Sequence, residues 1–353
     1  MTFLSGMYGR AARFRRAWYG RHPDRVRRLA KPVVSVGNLV VGGSGKTPVV
    51  AAIARLLLAA GERPVILSRG YGRRHRADGV VVVSDGHRPQ VPAEQSGDEP
   101  QMLARTLTGV PILVSPDRYL AGCLAERRFG CTVHILDDGF QHLQLARDVN
   151  LLVMSRTDVD DSVLPAGRLR EPLDAARAAD ALLVPGEEHE AEVMAVNIGV
   201  RPAFRVLARQ GEPRILIDED ARPAGRRVVA VAGIAGPSRF FDALRADGWD
   251  VAREMVFRDH HWFSRRELAA IGRAAGDARA DLIVTTEKDA ARLDVKDVAD
   301  SAVPWAAVPL QVSIEPASFV SWLREKMGSK NVMGSGVIFR GHPTRSAMGV
   351  LEK

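Results

Sequence analysis

Cysteine is nearly absent: the chain of 353 residues has two, Cys123 and Cys131. Neither has the pairing density of a disulfide framework or the spacing of a metal or redox motif. A reducing, cytoplasmic compartment is expected, with both thiols as core residues. Long apolar runs are also lacking, and no segment reads as a transmembrane helix. Acid is missing from one region only. Residues 1–31 hold nine Arg and Lys against a single acid, Asp24; since the chain totals 50 basic and 42 acidic residues, the remainder carries 41 of each sign. The net charge of +8 therefore belongs to an N-terminal arm. A neutral body argues against a nucleic-acid footprint, and no nucleic-acid partner is expected. With 46% hydrophobic and 26% charged residues, the chain can bury a sizeable core, and its length allows about two domains.

The arm has a pattern of its own. Phe3, Met7, Ala11, Phe14 and Trp18 share one helical face, widened by Leu4 and Tyr8, while arginines crowd the other side. A basic amphipathic helix with aromatic anchors suits an anionic membrane surface, engaged through residues 1–20. Gly6 and Gly9 weaken that helix. The alternative is a surface helix docked on its own domain. It is not a signal peptide, because no continuous apolar stretch follows the charges.

Beyond the arm, short β-branched runs alternate with helical segments. Strands are predicted at 33–36, 65–67, 80–83, 112–114, 133–136, 151–154 and 182–184, and helices at 48–60, 99–107 and 118–129. The fold class is α/β, a mostly parallel sheet with helices on both faces. Residues 156–179 lack periodicity and read as a functional loop. A second, smaller α/β domain starts near Arg226 with the strand Val228–Val231 and the helix 238–246. The expected division is a basic helix over 1–30, a first domain over 31–210, a second over 211–328 that closes over the site, and a poorly ordered tail over 329–353. The chain is expected to be a monomer.

Val40-Val-Gly-Gly-Ser-Gly-Lys-Thr47 joins a strand to a helix, the context of a phosphate-binding loop. Gly42, Gly43, Ser44 and Gly45 would present backbone N–H groups to phosphate oxygens. Lys46 would reach the terminal phosphates and the Thr47 hydroxyl would sit on Mg²⁺. The first glycine of the usual spacing is Val40 here. A second element, Val133-His-Ile-Leu-Asp-Asp-Gly-Phe-Gln-His142, ends a strand in Asp137 and Asp138, where P-loop enzymes order their metal. The two acids point to opposite faces, so one of them meets the metal directly. Gly139 turns the chain and brings Gln141 and His142 to the same mouth.

Asp98 and Glu99 stand at a helix start. Asp98 reads either as a cap or as a base for a substrate hydroxyl. Asp259-His260-His261 lacks metal-ligand spacing, and one histidine is free to pair with a carboxylate. Ser68-Arg-Gly-Tyr-Gly72 and Leu164-Pro-Ala-Gly-Arg-Leu-Arg-Glu-Pro172 place arginines near strand C-termini, where anionic ligands bind; Arg73, Arg74 and Arg168 read equally as solvated loop residues. Gly233 and Gly236 are weak evidence for a second phosphate site and more often mark a tight turn. Thr285-Thr-Glu-Lys-Asp289 lacks the leading Asn of a guanine-reading motif, which counts against a GTPase.

Together these blocks resemble the tetraacyldisaccharide 4'-kinase family, the lipid A 4'-kinases. The resemblance runs from Ser35-Val-Gly-Asn-Leu-Val-Val-Gly-Gly-Ser-Gly-Lys-Thr-Pro48 through Ser68–Gly72, Gly97-Asp-Glu-Pro100, Ser115-Pro-Asp-Arg118, Asp137–His142, Leu164–Gly167, Arg170-Glu-Pro172, Val231–Ile234 and Asp259-His260 to Thr286-Glu-Lys-Asp-Ala290. The family's phosphate loop also lacks the first glycine. The resemblance implies a kinase that uses ATP and Mg²⁺ to phosphorylate the 4'-hydroxyl of a lipid A disaccharide 1-phosphate. It further implies a cytoplasmic enzyme, peripheral on the inner membrane. By the same resemblance Asp98 is the base with His260 as partner, and Lys46 and Thr47 hold phosphate and metal with Asp137, Asp138 and Glu99. Arg69, Tyr71, Arg118, Gln141, His142 and Arg170 are implied at the substrate. Arg168 departs from the family, which usually has Pro there, and the tail after about residue 328 is unmatched.

Overall fold

Runs of Val, Ile and Leu without polar alternation need cover on both faces, the environment of a parallel sheet between helix layers. The computed structural model describes residues 3–43, 45–75, 78–218 and 223–333. Its strands are β1 (Val33–Gly37), β2 (Pro64–Ser68), β3 (Val81–Asp85), β4 (Pro111–Val114), β5 (Val133–Asp137), β6 (Val149–Val153), β7 (Ala181–Pro185) and β8 (Ala203–Gln210). They continue with β9 (Arg214–Ile215), β10 (Arg227–Ala232), β11 (Asp250–Val256), β12 (Leu282–Thr286), β13 (Trp305–Val308) and β14 (Leu310–Glu315). The large sheet runs β14-β8-β7-β6-β1-β5-β2-β4-β3 and is parallel except at its edge strands β14 and β3. The small sheet runs β11-β10-β12-β13-β9, with β9 antiparallel. The expected α/β class with a mostly parallel sheet is what the structure has.

The helices are α1 (Phe3–Arg21), α2 (Lys46–Ala59), α3 (Ala93–Ser96), α4 (Asp98–Thr106), α5 (Arg118–Phe129) and α6 (Arg156–Val159). After them come α7 (Glu188–Ile198), α8 (Ser238–Ala246), α9 (Arg265–Asp277), α10 (Glu287–Ala290), α11 (Val295–Val298) and α12 (Phe319–Met333). Successive strand residues face opposite layers. Ile135, Leu151 and Leu183 pack with Ile53 and Leu57 of α2 and Phe319 and Leu323 of α12. Their neighbours Leu152 and Leu182 join Met194 and Ile198 of α7, and Leu136 joins Ala121 and Ala125 of α5.

β1 lies at the centre, and its register sets Val36 beside Asp137 of β5. The two loops singled out in the sequence therefore leave the sheet side by side. Two parts of the division differ from expectation. β8 went unpredicted, and β14 and α12 return to the large sheet, so the second unit is shorter than 211–328. The closing helix continues to Met333; the rest of the expected tail lies outside the described residues. No helix among the described residues is long and apolar enough to cross a membrane.

α1 is docked on the body through its small residues. Ser5 and Gly9 are buried, and a methyl at Gly9 would touch Pro172 Cγ at 3.4 Å. Phe3, Leu4, Met7 and Phe14 face outward, 82%, 61%, 54% and 69% exposed. The helix is thus attached to its own domain and still presents apolar side chains to the surroundings.

Candidate active site

Leaving β1, the chain turns through Gly42 (φ +99°) and Gly45 (φ +71°), left-handed positions that favour glycine. α2 starts at Lys46 with Gly45 as its cap, so the first-turn N–H groups have no capping side chain and suit an anion. Ser44 lies outside the described residues. The missing first glycine has a physical reason. Val40 is a buried bridge residue paired with Leu169, and its neighbours bond the same segment: Val41 N–H donates to the Arg168 carbonyl at 2.8 Å and Arg170 N–H to the Leu39 carbonyl. An extended β-branched residue fits that pairing better than glycine. Arg168 performs this role through its backbone while its side chain bonds Asp161 at 2.7 Å, so proline is not needed there.

Asp137 and Asp138 occupy opposite electrostatic environments. Asp137 is buried, its Oδ1 has no hydrogen-bond partner, and burial pushes its carboxyl up to about 8, with Glu99 and Asp138 adding to the effect. Asp138, in a left-handed conformation (φ +55°), is lowered despite burial by Lys46 and Arg170. Arg170 Nη1 donates to Asp138 Oδ2 at 2.8 Å, Nη2 to Asn38 Oδ1 at 2.9 Å and Nε to the Val40 carbonyl at 3.1 Å. Lys46 Nζ donates to the same Asn38 oxygen at 2.9 Å and stands 3.5 Å from Asp138. Arg170, expected at the substrate, thus also frames the phosphate loop. Among the described residues no three acidic, His or Cys side chains are grouped to cage a metal alone. Oxygens of Asp137, Asp138 and Thr47 suit a hard cation that draws its other ligands from phosphate and water.

Asp98 begins α4 after Gly97 (φ +89°), whose added methyl would meet the Tyr71 carbonyl at 2.5 Å. It is more than a cap. His260 of the second unit (φ +59°) lies with Nδ1 2.8 Å from Asp98 Oδ2, and Arg292 Nη1 donates to the same oxygen at 2.5 Å. Burial opposes charge on Asp98, but His260, Lys288 and Arg292 outweigh it and hold the carboxyl below its usual range. An ionised Asp98 can only accept, so His260 Nδ1 carries the proton. Lys288 Nζ stands 3.3 Å from the other ring nitrogen, Nε2. Glu99 lies between the two clusters. It is raised, chiefly because protein displaces its water and also by Asp98; Lys288 at 3.8 Å and Lys46 pull it back.

The remaining expected residues divide. Arg69, Arg118, Gln141, His142 and Arg170 line one cavity of about 570 Å³ whose far wall is α1, through Tyr8, Ala11 and Arg15. Burial pushes Arg118 down to about 10, with the Arg69 charge adding. Burial likewise pushes His142 down to about 3, helped by Arg118. Tyr71 stands instead against the His260 ring, edge on at 5.4 Å. Sequence reasoning missed Asn38, Lys288 and Arg292. The signal for two of them is their spacing around the 286–289 motif: Lys288 and Arg292 are four apart and reach the same Asp98 carboxylate, while Asp289 is buried on Gly233 N–H, Thr286 and Arg292. Asp289 is therefore spent on structure rather than on reading a base.

A phosphate loop and a carboxylate–histidine pair from two lobes, joined through Glu99, belong to a P-loop kinase rather than to a nucleotide switch. The sequence model of the tetraacyldisaccharide-1-P 4'-kinases matches residues 1–328, and the chain belongs to that family. A tetraacyldisaccharide 4'-kinase of Geobacter metallireducens is 44% identical over 299 residues, covering 83% of this chain and 88% of the relative. Another, of Nitrobacter winogradskyi, is 44% identical over 290 residues, 79% of this chain and 81% of the relative. The crystal structure of "apo" form LpxK from Aquifex aeolicus in complex with ATP superposes with a TM-score of 0.75 at 34% identity, over 92% of this chain and 97% of that one.

Proposed function

We propose that this enzyme transfers the γ-phosphate of ATP to the 4'-hydroxyl of a lipid A disaccharide 1-phosphate, in the cytoplasm at an anionic membrane surface. The observation that carries the reading is the Asp98–His260 contact between lobes, next to the phosphate loop. A switch protein needs no base; an alcohol acceptor does. Asp98 Oδ1 accepts the Glu99 N–H at 3.0 Å and retains a lone pair for the hydroxyl proton. Because Asp98 is a weakened base, it takes that proton late, as a loose phosphoryl-transfer transition state allows. Lys46 and the first-turn N–H groups of α2 position the phosphates, and Gly43 lies close to Ala235 of the second lobe, where an added methyl would stand 3.2 Å from the Ala235 Cβ.

The orphaned Asp137 Oδ1 fits Mg²⁺, with Thr47, Asp138 and Glu99 alongside. Bound there, the ion would neutralise phosphate charge. The arginine-lined cavity under α1 suits a phosphorylated sugar, with Arg118 and Arg69 toward its anionic group. The exposed apolar side chains of α1, flanked by arginines, support attachment to lipid.

Asp98→Ala is expected to lower transfer to the lipid by about 10²- to 10⁴-fold while ATP binding persists. Survival of transfer in that variant would return Asp98 to the role of a cap. Deletion of residues 1–20 is expected to abolish co-sedimentation with anionic vesicles, and unchanged sedimentation would remove the membrane assignment.

A further inference from the structure

Arg16 is the point at which α1 meets both loops of the nucleotide site. Its guanidinium donates to the two Glu171 oxygens at 2.7 and 3.0 Å, and Glu171 is 6% exposed. The same guanidinium lies over the Phe140 ring, 4.7 Å from its centre. Glu171 follows Arg170, and Phe140 lies two residues after Asp138, while Arg170 and Asp138 bond each other at 2.8 Å. The contacts therefore close a circuit from helix to loop 161–172, to the metal-side aspartate, to Phe140 and back. Two further contacts hold α1 to this region: Ser5 Oγ accepts the Ala166 N–H at 3.2 Å, and Arg15 donates to the Gln141 carbonyl at 3.1 Å. The opposite side of α1 exposes Phe3, Leu4, Met7 and Phe14.

We infer that Arg16 and Glu171 are positioning residues that couple the lipid-facing helix to the phosphate loop, so that seating α1 on an anionic bilayer tightens ATP binding. The inference rests on the membrane reading above. A helix held by lipid on one face fixes Glu171 and Phe140 on the other, which pre-orders Arg170, Asp138 and Asn38 around Lys46 before nucleotide arrives. The fork of an arginine suits this task, because it keeps two bonds to one carboxylate and a flat face for the ring at once. Linkage makes the coupling reciprocal: ATP strengthens vesicle binding by the factor that vesicles strengthen ATP binding. The enzyme would then fill its nucleotide site preferentially where its acceptor resides.

The test measures ATP affinity of the full chain with Mg²⁺, with and without vesicles of phosphatidylethanolamine and phosphatidylglycerol, in the absence of acceptor lipid. The wild type is expected to bind ATP about fivefold tighter or more on vesicles. In Glu171→Gln that ratio falls to about one, while vesicle sedimentation and ATP binding each persist. Arg16→Lys, which keeps the charge and loses the fork, gives an intermediate ratio and serves as the readout if Glu171→Gln fails to fold. A vesicle-bound wild type with unchanged ATP affinity overturns the coupling and leaves membrane binding standing. So does a wild-type ratio in Glu171→Gln or, where that variant does not fold, in Arg16→Lys. A wild type that does not sediment with vesicles removes both.

Discussion

Arg292 carries a fully buried guanidinium between two buried carboxylates, Asp98 of the first lobe and Asp289 of the second. Burial holds Asp289 above the usual carboxylate range, and Arg292 is the largest influence pulling it back. Arg292→Ala would leave both acids without their nearest cation. The expected cost is about 3–5 kcal/mol of stability, together with loss of transfer as Asp98 shifts; a melt within a degree of wild type would contradict this. His142 gives the pH dependence at this scale. Its folded pKa is depressed to about 3, so below about 6.5 the unfolded chain takes a proton that the folded chain refuses. Stability from this group is therefore complete above about 6.5 and is lost as pH falls toward the folded value, by at most about 1.4 kcal/mol per pH unit. Between pH 6 and 5, His142→Gln should lose less stability than wild type in denaturant titrations; equal slopes would show that His142 is not held neutral.

Glycines separate the tight elements from the loose ones. Gly37 ends β1 where an added methyl would meet Phe140 Cβ at 2.5 Å and its backbone nitrogen at 2.8 Å. No side-chain rotation relieves a clash with backbone, so Gly37→Ala should cost about 1–3 kcal/mol and weaken ATP binding. Gly6 of α1 has nothing within 4 Å of an added methyl. Gly6→Ala should leave folding intact and strengthen the helix by up to about 1 kcal/mol. Calorimetry of the two variants should give opposite signs, and matching signs would contradict the packing described for these elements. The short α10 and α11 escaped notice in the sequence because four residues hold no helical period, whereas α2, α5 and α8 carried enough apolar spacing to be placed within two residues.

Across the whole molecule, what was legible followed from local pattern. The β1 and β5 runs with their terminal Gly and Asp residues mark the phosphate loop and the acid pair, and parallel register brings the two together. The return of β14 and α12 to the large sheet was not legible, because β14 is an exposed edge strand with a weak apolar signature and its partner β8 lies about a hundred residues earlier. The Asp98–His260 pair was reached through resemblance; its supporting Lys288 and Arg292 depend on how two lobes meet, which no spacing records. The Arg16–Glu171 link is of the same kind, 155 residues apart in the chain. Long-range side-chain pairs between units are set by packing, so sequence names the candidates and leaves their partners open.

The central claim is that the two lobes form one machine for moving phosphate to a lipid alcohol. Incubation of the full chain with γ-phosphate-labelled ATP, Mg²⁺ and lipid A disaccharide 1-phosphate tests it most directly. The account predicts label on the lipid at its 4'-position, with little release of free phosphate when lipid is omitted. Folded, ATP-binding protein that hydrolyses nucleotide and leaves the lipid unlabelled would contradict it.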